Sequence, residues 1–206
     1  MYIKDASEGY MRQLDNGTMT WHNEKGELHR VNGPAVVITD GSEIWYKEGE
    51  RHRGGGLPSG EFANGTKEWV VEGKRHRAGD LPAIARRNGT MFWYKHGLRH
   101  RVGGPATIWE DGSLEWWEYG RRHRAGGPAI ENHNNPMTMR PVQVYEWWLD
   151  GVKYSEEDYI LKSKRNRELG FKYFHKWYDI LDDLSTEVGK RRMLEHVNKI
   201  SDYLVD

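Results

Sequence analysis

Cysteine is absent from this chain of 206 residues. Disulfides and thiolate metal sites are therefore excluded, and a reducing compartment is the natural fit. Net charge is missing too: 31 Lys and Arg balance 31 Asp and Glu, leaving no global field to draw the chain to nucleic acid or to a membrane. No apolar run reaches the length of about 18 residues that spans a bilayer. The opening MYIKDASEGY is too polar for a secretory signal. Phenylalanine is scarce, with four Phe against ten Trp and eleven Tyr, and hydrophobic residues make up only 36%. Trp and Tyr bury large areas while keeping a polar handle at the surface. The composition predicts a soluble cytoplasmic protein with a thin core whose large side chains reach an edge.

What the chain has is a repeat. His-Arg pairs stand at 29–30, 52–53, 76–77, 100–101 and 123–124, spaced by 23, 24, 24 and 23 residues. Upstream of them come Trp21, Trp45, Trp69, Trp93 and Trp116, seven residues before each His except in the first unit, where the gap is eight. Four residues before each Trp sits the Gly of an Asn-Gly or Asp-Gly pair: Gly17, Gly41, Gly65, Gly89 and Gly112. These pairs supply the positive φ of a type I′ turn, so each unit reads as a β-hairpin. Gly49, Gly73, Gly97 and Gly120 mark a second reversal, and a Gly/Pro/Ala segment leads into the next hairpin, Pro suiting the first residue of a strand. A lone hairpin is marginal, whereas stacked ones bury each other's faces.

The predicted fold is mainly β with an α-helical C-terminus: an elongated ribbon or solenoid of stacked hairpins, period 23–24, capped by two or three helices. The repeat domain spans 1–154, with five His-Arg units and an atypical sixth, VYEWWLDGVKYSEED, in which Tyr-Ser replaces His-Arg. Residues 155–206 form the helical segment. There Ser155 and Asp158 resemble a capping box, and Phe171, Phe174, Tyr178 and Leu181 recur at helical spacing. Ser185 is placed to cap a further helix. The segment reads either as a cap over an open sheet end or as a docking element for a partner or a second copy. Ser59, the extra glycines before it and the stretch ENHNNPMTMRPVQ mark irregular points.

The string WYKHGLRHRVGG resembles the MORN repeat, a hairpin unit. The fuller phrase, W-Y-x-x-G-x-x-H-R-x-x-G-P-A, is similar to a His-Arg variant in bacterial, phage and giant-virus proteins, and covers roughly residues 10–159 here. Arg follows His where standard MORN units have Gly. The resemblance implies a scaffold-type binding protein, and for the viral variant an intracellular factor that binds and inhibits a host protein.

Catalysis needs different groups converging at one place, whereas a repeat offers the same groups everywhere. No catalytic residue, metal ligand or cofactor is therefore predicted. The His column (His29, His52, His76, His100, His123) reads as imidazoles bonded to neighbouring backbone or packed on Trp, and the Trp column as core. The arginine-rich words ERHR, KRHR, LRHR and RRHR read in two ways. One is a set of cross-strand ion pairs with acids such as Glu43, Glu68, Glu72, Glu115 and Glu118, each contributing about 0.2–1 kcal/mol. The other is an anion-binding face, since guanidinium forks match carboxylate and phosphate. Tyr46, Tyr94, Trp117 and Trp148 point to the opposite face from their neighbours. The candidate partner-binding residues are Arg53, Arg75, Arg77, Arg99, Arg101, Arg122, Arg124, Tyr46, Tyr94 and Trp117. The expected function is protein binding without catalysis. The alternative is sequestration of an anionic small ligand such as a nucleotide. Nucleic acid is disfavoured by the zero net charge, membrane insertion is not expected, and a homodimer through 155–206 is the further option.

Overall fold

The computed structural model describes residues 2–5, 9–133 and 144–168. Contacts divide the chain into Met1–Ser155 and Glu156–Asp206. The first part holds one open antiparallel sheet of fourteen strands, each hydrogen-bonded to the next in chain order. It begins with Tyr2–Asp5, Gly9–Gln13 and Met19–His22 and ends with Ile130–Asn132, Val144–Leu149 and Val152–Tyr154. Between them the strands are two residues long, among them Gly60–Glu61, Lys67–Glu68, Ile84–Ala85 and Met91–Phe92.

The strands are short because each tryptophan diverts the chain. Trp21, Trp45, Trp69, Trp93 and Trp116 donate their backbone N–H to Ala35, Ser59, Ala83, Ala106 and Ala129 at 2.8–2.9 Å. Their carbonyls accept from the His of the same unit at 3.0–3.1 Å. On one side of each Trp the chain therefore belongs to the long sheet. On the other, in all but the first unit, it enters a separate two-stranded ribbon, such as Val70–Val71 with Lys74–Arg75 or Tyr94–Lys95 with Leu98–Arg99. The alanines after Pro lie at the crossing. Ala35, Ala83, Ala106 and Ala129 are fully buried, as is Ser59, whose hydroxyl accepts from the Val70 N–H at 3.0 Å. The irregular Ser59 is thus a satisfied polar variant of a site that admits only a small side chain.

The Asn-Gly and Asp-Gly turns are not type I′. Only their glycines have positive φ, 79–90°. The glycine N–H bonds back three residues at 2.8–3.1 Å, and the residue at that position donates across to the one after the glycine. This is a type I turn with a glycine bulge. Its cause is the Asx side chain: Asn16, Asp40, Asn64, Asn88 and Asp111 each accept the N–H two residues on at 2.8–3.1 Å, which holds them at negative φ. The type I′ turns are the second reversals. There Glu48, Glu72, His96, Tyr119 and Asp150 sit at φ 43–51°, each followed by a glycine at 70–87°. The first unit instead closes this turn with a glycine bulge at Gly26, bonded to Asn23 at 3.0 Å. That extra residue accounts for its eight-residue gap.

Each second turn docks on the preceding unit. Gly49, Gly73, Gly97, Gly120 and Gly151 donate to the carbonyls of Leu28, Arg51, Arg75, Arg99 and Arg122 at 2.8–3.1 Å. The atypical sixth unit, around Trp147, docks the same way. The second part contains the helix Glu156–Glu168, which begins directly after Ser155 with Glu156, Glu157 and Asp158 in its first turn, where carboxylates complement the helix dipole. The expected helices beyond it, and most of ENHNNPMTMRPVQ, lie outside the described residues. Among the described residues no helix is long and apolar enough to cross a membrane.

Candidate binding face

The arginine of every His-Arg pair lies over the tryptophan ring of its own unit. The guanidinium carbons of Arg30, Arg53, Arg77, Arg101 and Arg124 stand 3.6–4.0 Å from the ring centroids of Trp21, Trp45, Trp69, Trp93 and Trp116. Nη1 of each donates to the carbonyl of the following proline, Pro34, Pro58, Pro82, Pro105 or Pro128, at 2.9–3.3 Å. His-Arg, Pro and the upstream Trp therefore recur together because they form one staple: planar cation on indole, with its fork tied to the turn that starts the next strand. Several staples also carry a carboxylate. Arg53 meets Glu61 at 2.8 Å, Arg124 meets Glu131, and Arg101 grips Asp80 through Nε and Nη2 at 2.7 Å each. The Arg101 hydrogen bond holds the Asp80 carboxyl below its usual range, and burial pushes Arg77 down from its ordinary value. Of the predicted binding residues, Arg53, Arg77, Arg101 and Arg124 are thus placed in intramolecular staples.

The histidines join successive units. Nδ1 of His29, His76, His100 and His123 accepts the backbone N–H of Glu48, His96, Tyr119 and Asp150 at 3.0–3.4 Å. These donors are the positive-φ residues of the next type I′ turn, and Nδ1 of His123 also lies 3.1 Å from the Asp150 carboxylate. His76 also stacks on His96 and His100 on Tyr119, with centroids 4.4 and 4.0 Å apart. Among the described residues no group of three or more His, Asp or Glu could hold a metal ion.

A second arginine column precedes the histidines and behaves differently. Arg51, Arg75, Arg99 and Arg122 pair across their ribbons with Tyr46, Val70, Tyr94 and Trp117. They reach into the next unit. Arg51 donates to Glu68 at 2.7 Å, Arg99 lies 3.7 Å from Glu115, and Arg122 acts on Glu146. Burial opposes ionisation of Glu146, but hydrogen bonds from Lys153 and Trp148 and the charges of Lys153 and Arg122 outweigh it and hold the carboxyl below its ordinary value. Aromatic rings alternate with these cations: Arg99 stands 4.9 Å from the Trp117 ring centroid, and Arg122 stands 5.0 and 5.2 Å from those of Trp117 and Trp148. Tyr46, Tyr94 and Trp117 are all half-exposed.

A groove of 380 Å³ opens on this face between the third and fourth units. Arg75, Arg86, Arg99, Phe62, Phe92 and Tyr94 line it, with Glu68 as its one carboxylate. Arg86 and Arg99 stand 5.0 and 5.1 Å from the Phe92 ring centroid, and Arg75 stands 5.6 Å from that of Tyr94. Three of the sequence-predicted residues, Arg75, Arg99 and Tyr94, meet here. Arg86, Phe62 and Phe92 were not anticipated, although two of only four phenylalanines in the chain occupy the repeat region at these positions. That scarcity was a usable signal. The sequence matches no family model and no curated protein.

Proposed function

We propose that the chain is a non-enzymatic protein-binding module, a MORN-like ribbon of stacked hairpins. It presents the arginine–aromatic face, Tyr46, Arg75, Tyr94, Arg99, Trp117 and Arg122, to an acidic surface of another protein. The reading extends to an intracellular factor of viral or bacterial type that inhibits its partner. The observation that carries it is the division of labour between the two arginine columns. One is consumed in Trp–Arg–Pro staples, while the other alternates with half-exposed rings across successive units. Tyr, Trp and Arg are the side chains enriched where binding energy concentrates.

Capture from the native host tests it. The intact protein retains a partner in stoichiometric amount, and a variant carrying Tyr94→Ser and Trp117→Ser loses it while keeping its Tm within a few degrees. Retention by that variant overturns the reading. The second reading, sequestration of an anionic small ligand, is favoured by the groove, where three guanidiniums face one carboxylate. It predicts that a nucleotide raises Tm and that no protein partner is retained.

A further inference from the structure

Five junctions join successive units, and at each the residue before the His of one unit corresponds to the residue before the Trp of the next. The first matches Leu28 with Ile44, apolar against apolar. The second matches Arg51 with Glu68, in hydrogen-bond contact at 2.7 Å. The fourth matches Arg99 with Glu115 at 3.7 Å, and the fifth Arg122 with Glu146. In these four the two positions agree in character. The third does not: Arg75 faces a unit in which Phe92 occupies the carboxylate's place.

The neighbouring strand also differs between the second and third junctions. Each of these positions pairs across the sheet with the second residue after Pro: Gly60 opposite Glu68 and Ile84 opposite Phe92. Gly60 makes room for Arg51, since a Cβ there would fall 1.9 Å from Arg51 Nη2. Ile84 stands at the equivalent position, as Ile130 does opposite Glu146. The Arg75 side chain is 47% exposed, against 19% for Arg51. Its carboxylate contact is with Glu68 of its own unit, at 3.8 Å, and Glu68 is already held by Arg51. Arg86 adds a third cation, and among the described residues no carboxylate lies within ion-pair distance of it. The groove occupies the place where a carboxylate would complete the ladder.

We infer that this groove receives a carboxylate side chain from the partner protein, inserted between Arg75, Arg86 and Arg99 with its stem against Phe92 and Tyr94. The inference rests on the protein-binding reading and specifies its contact. Charge complementarity sets the occupant, because a carboxylate is what the repeat itself places between these arginines elsewhere. The apolar floor of Ile84 and Phe92 favours the methylenes of Glu over a bare ion.

The test uses the full chain and a fluorescein-labelled hexapeptide of alternating Glu and Tyr, followed by anisotropy, with the Gln-Tyr peptide and AMP as competing probes. Wild type binds the Glu peptide, more weakly as salt rises, and binds the Gln peptide at least about tenfold less. Phe92→Glu supplies the carboxylate in cis. It lowers affinity for the Glu peptide at least about tenfold while keeping Tm at or above that of wild type. Should that variant fail to fold, Arg75→Gln with Arg86→Gln gives the same loss. Equal binding by these variants, equal binding of the Gln peptide, or binding of AMP without the Glu peptide overturns the inference. If the host partner is captured equally by wild type and Phe92→Glu, the groove assignment fails while the protein-binding reading stands. If no partner is captured by either, that reading fails and the peptide result still judges the groove.

Discussion

Arg77 shows what a single residue contributes. Its guanidinium stacks 3.6 Å from the Trp69 centroid and bonds Pro82 O at 3.2 Å. Lysine keeps the charge but has neither plane nor fork, so Arg77→Lys is expected to cost about 1–2 kcal/mol, seen as a lower urea midpoint with unchanged slope. Unchanged stability would reduce the staple to a coincidence of geometry. Asp80 carries a pH signature. Its carboxyl is depressed in the folded state by Arg101, so its contribution is present above the unfolded value of about 3.9 and is lost as pH falls through the lower folded value. The side chain is 63% exposed, which makes the contribution small and sensitive to salt. Asp80→Asn is therefore expected to lower Tm at neutral pH and low ionic strength. The difference from wild type shrinks both toward pH 2–3 and in roughly molar salt, as a pH series of thermal melts would show.

At the scale of the hairpin, the two reversals of each unit differ in what they tolerate. The bulge glycine of the Asp40-Gly41 turn sits at φ 90°, and Asp40 is tied to the Ser42 N–H at 2.8 Å. The type I′ turns place ordinary side chains at positive φ, Glu72 at 49°. An L-residue other than Gly, Asn or Asp pays about 1 kcal/mol there. Glu72→Asn, which makes the preferred Asn-Gly pair, is expected to stabilise by about 0.5–1 kcal/mol in chemical denaturation. Gly41→Ala is expected to destabilise by about 1 kcal/mol or more. Reversed signs would mean the turn assignments are exchanged. Asn-Gly and Asp-Gly in the sequence pointed to the right places but the wrong turn type. The reason is that the Asx carbonyl competes for a local N–H and keeps its own residue at negative φ. The same dipeptide signal therefore locates a hairpin without choosing between its two commonest closures.

At the scale of the whole molecule, strands of the sheet pair only with their chain neighbours. Backbone bonds from Gly73 to Arg51 and from Gly97 to Arg75 repeat the same junction one period apart. Removing residues 70–93, one period of 24, joins Trp69 to Tyr94 and preserves every column. That deletion is expected to fold, with β-type circular dichroism and a cooperative melt of smaller enthalpy. A deletion a few residues shorter, which breaks the register, is expected to lose the transition. If both fold equally well, the columns do not hold the units together.

The sequence by itself determined the period, the positions of the reversals and the association of Trp, His, Arg and Pro, because these depend on local backbone chemistry repeated at fixed spacing. It could not say which arginines are spent inside the fold. Arg77 and Arg75 stand two residues apart, yet one lies on Trp69 of its own unit and the other stands 5.6 Å from the ring centroid of Tyr94 in the next unit. That difference is set by cross-unit register, which brings side chains from separate turns of the repeat within contact distance. The groove likewise exists only because Ile84 and Phe92 meet across a strand pair opposite an arginine from another ribbon. The scarcity of phenylalanine marks Phe92, but its mismatch with Arg75 depends on positions that only the stacking of units brings side by side.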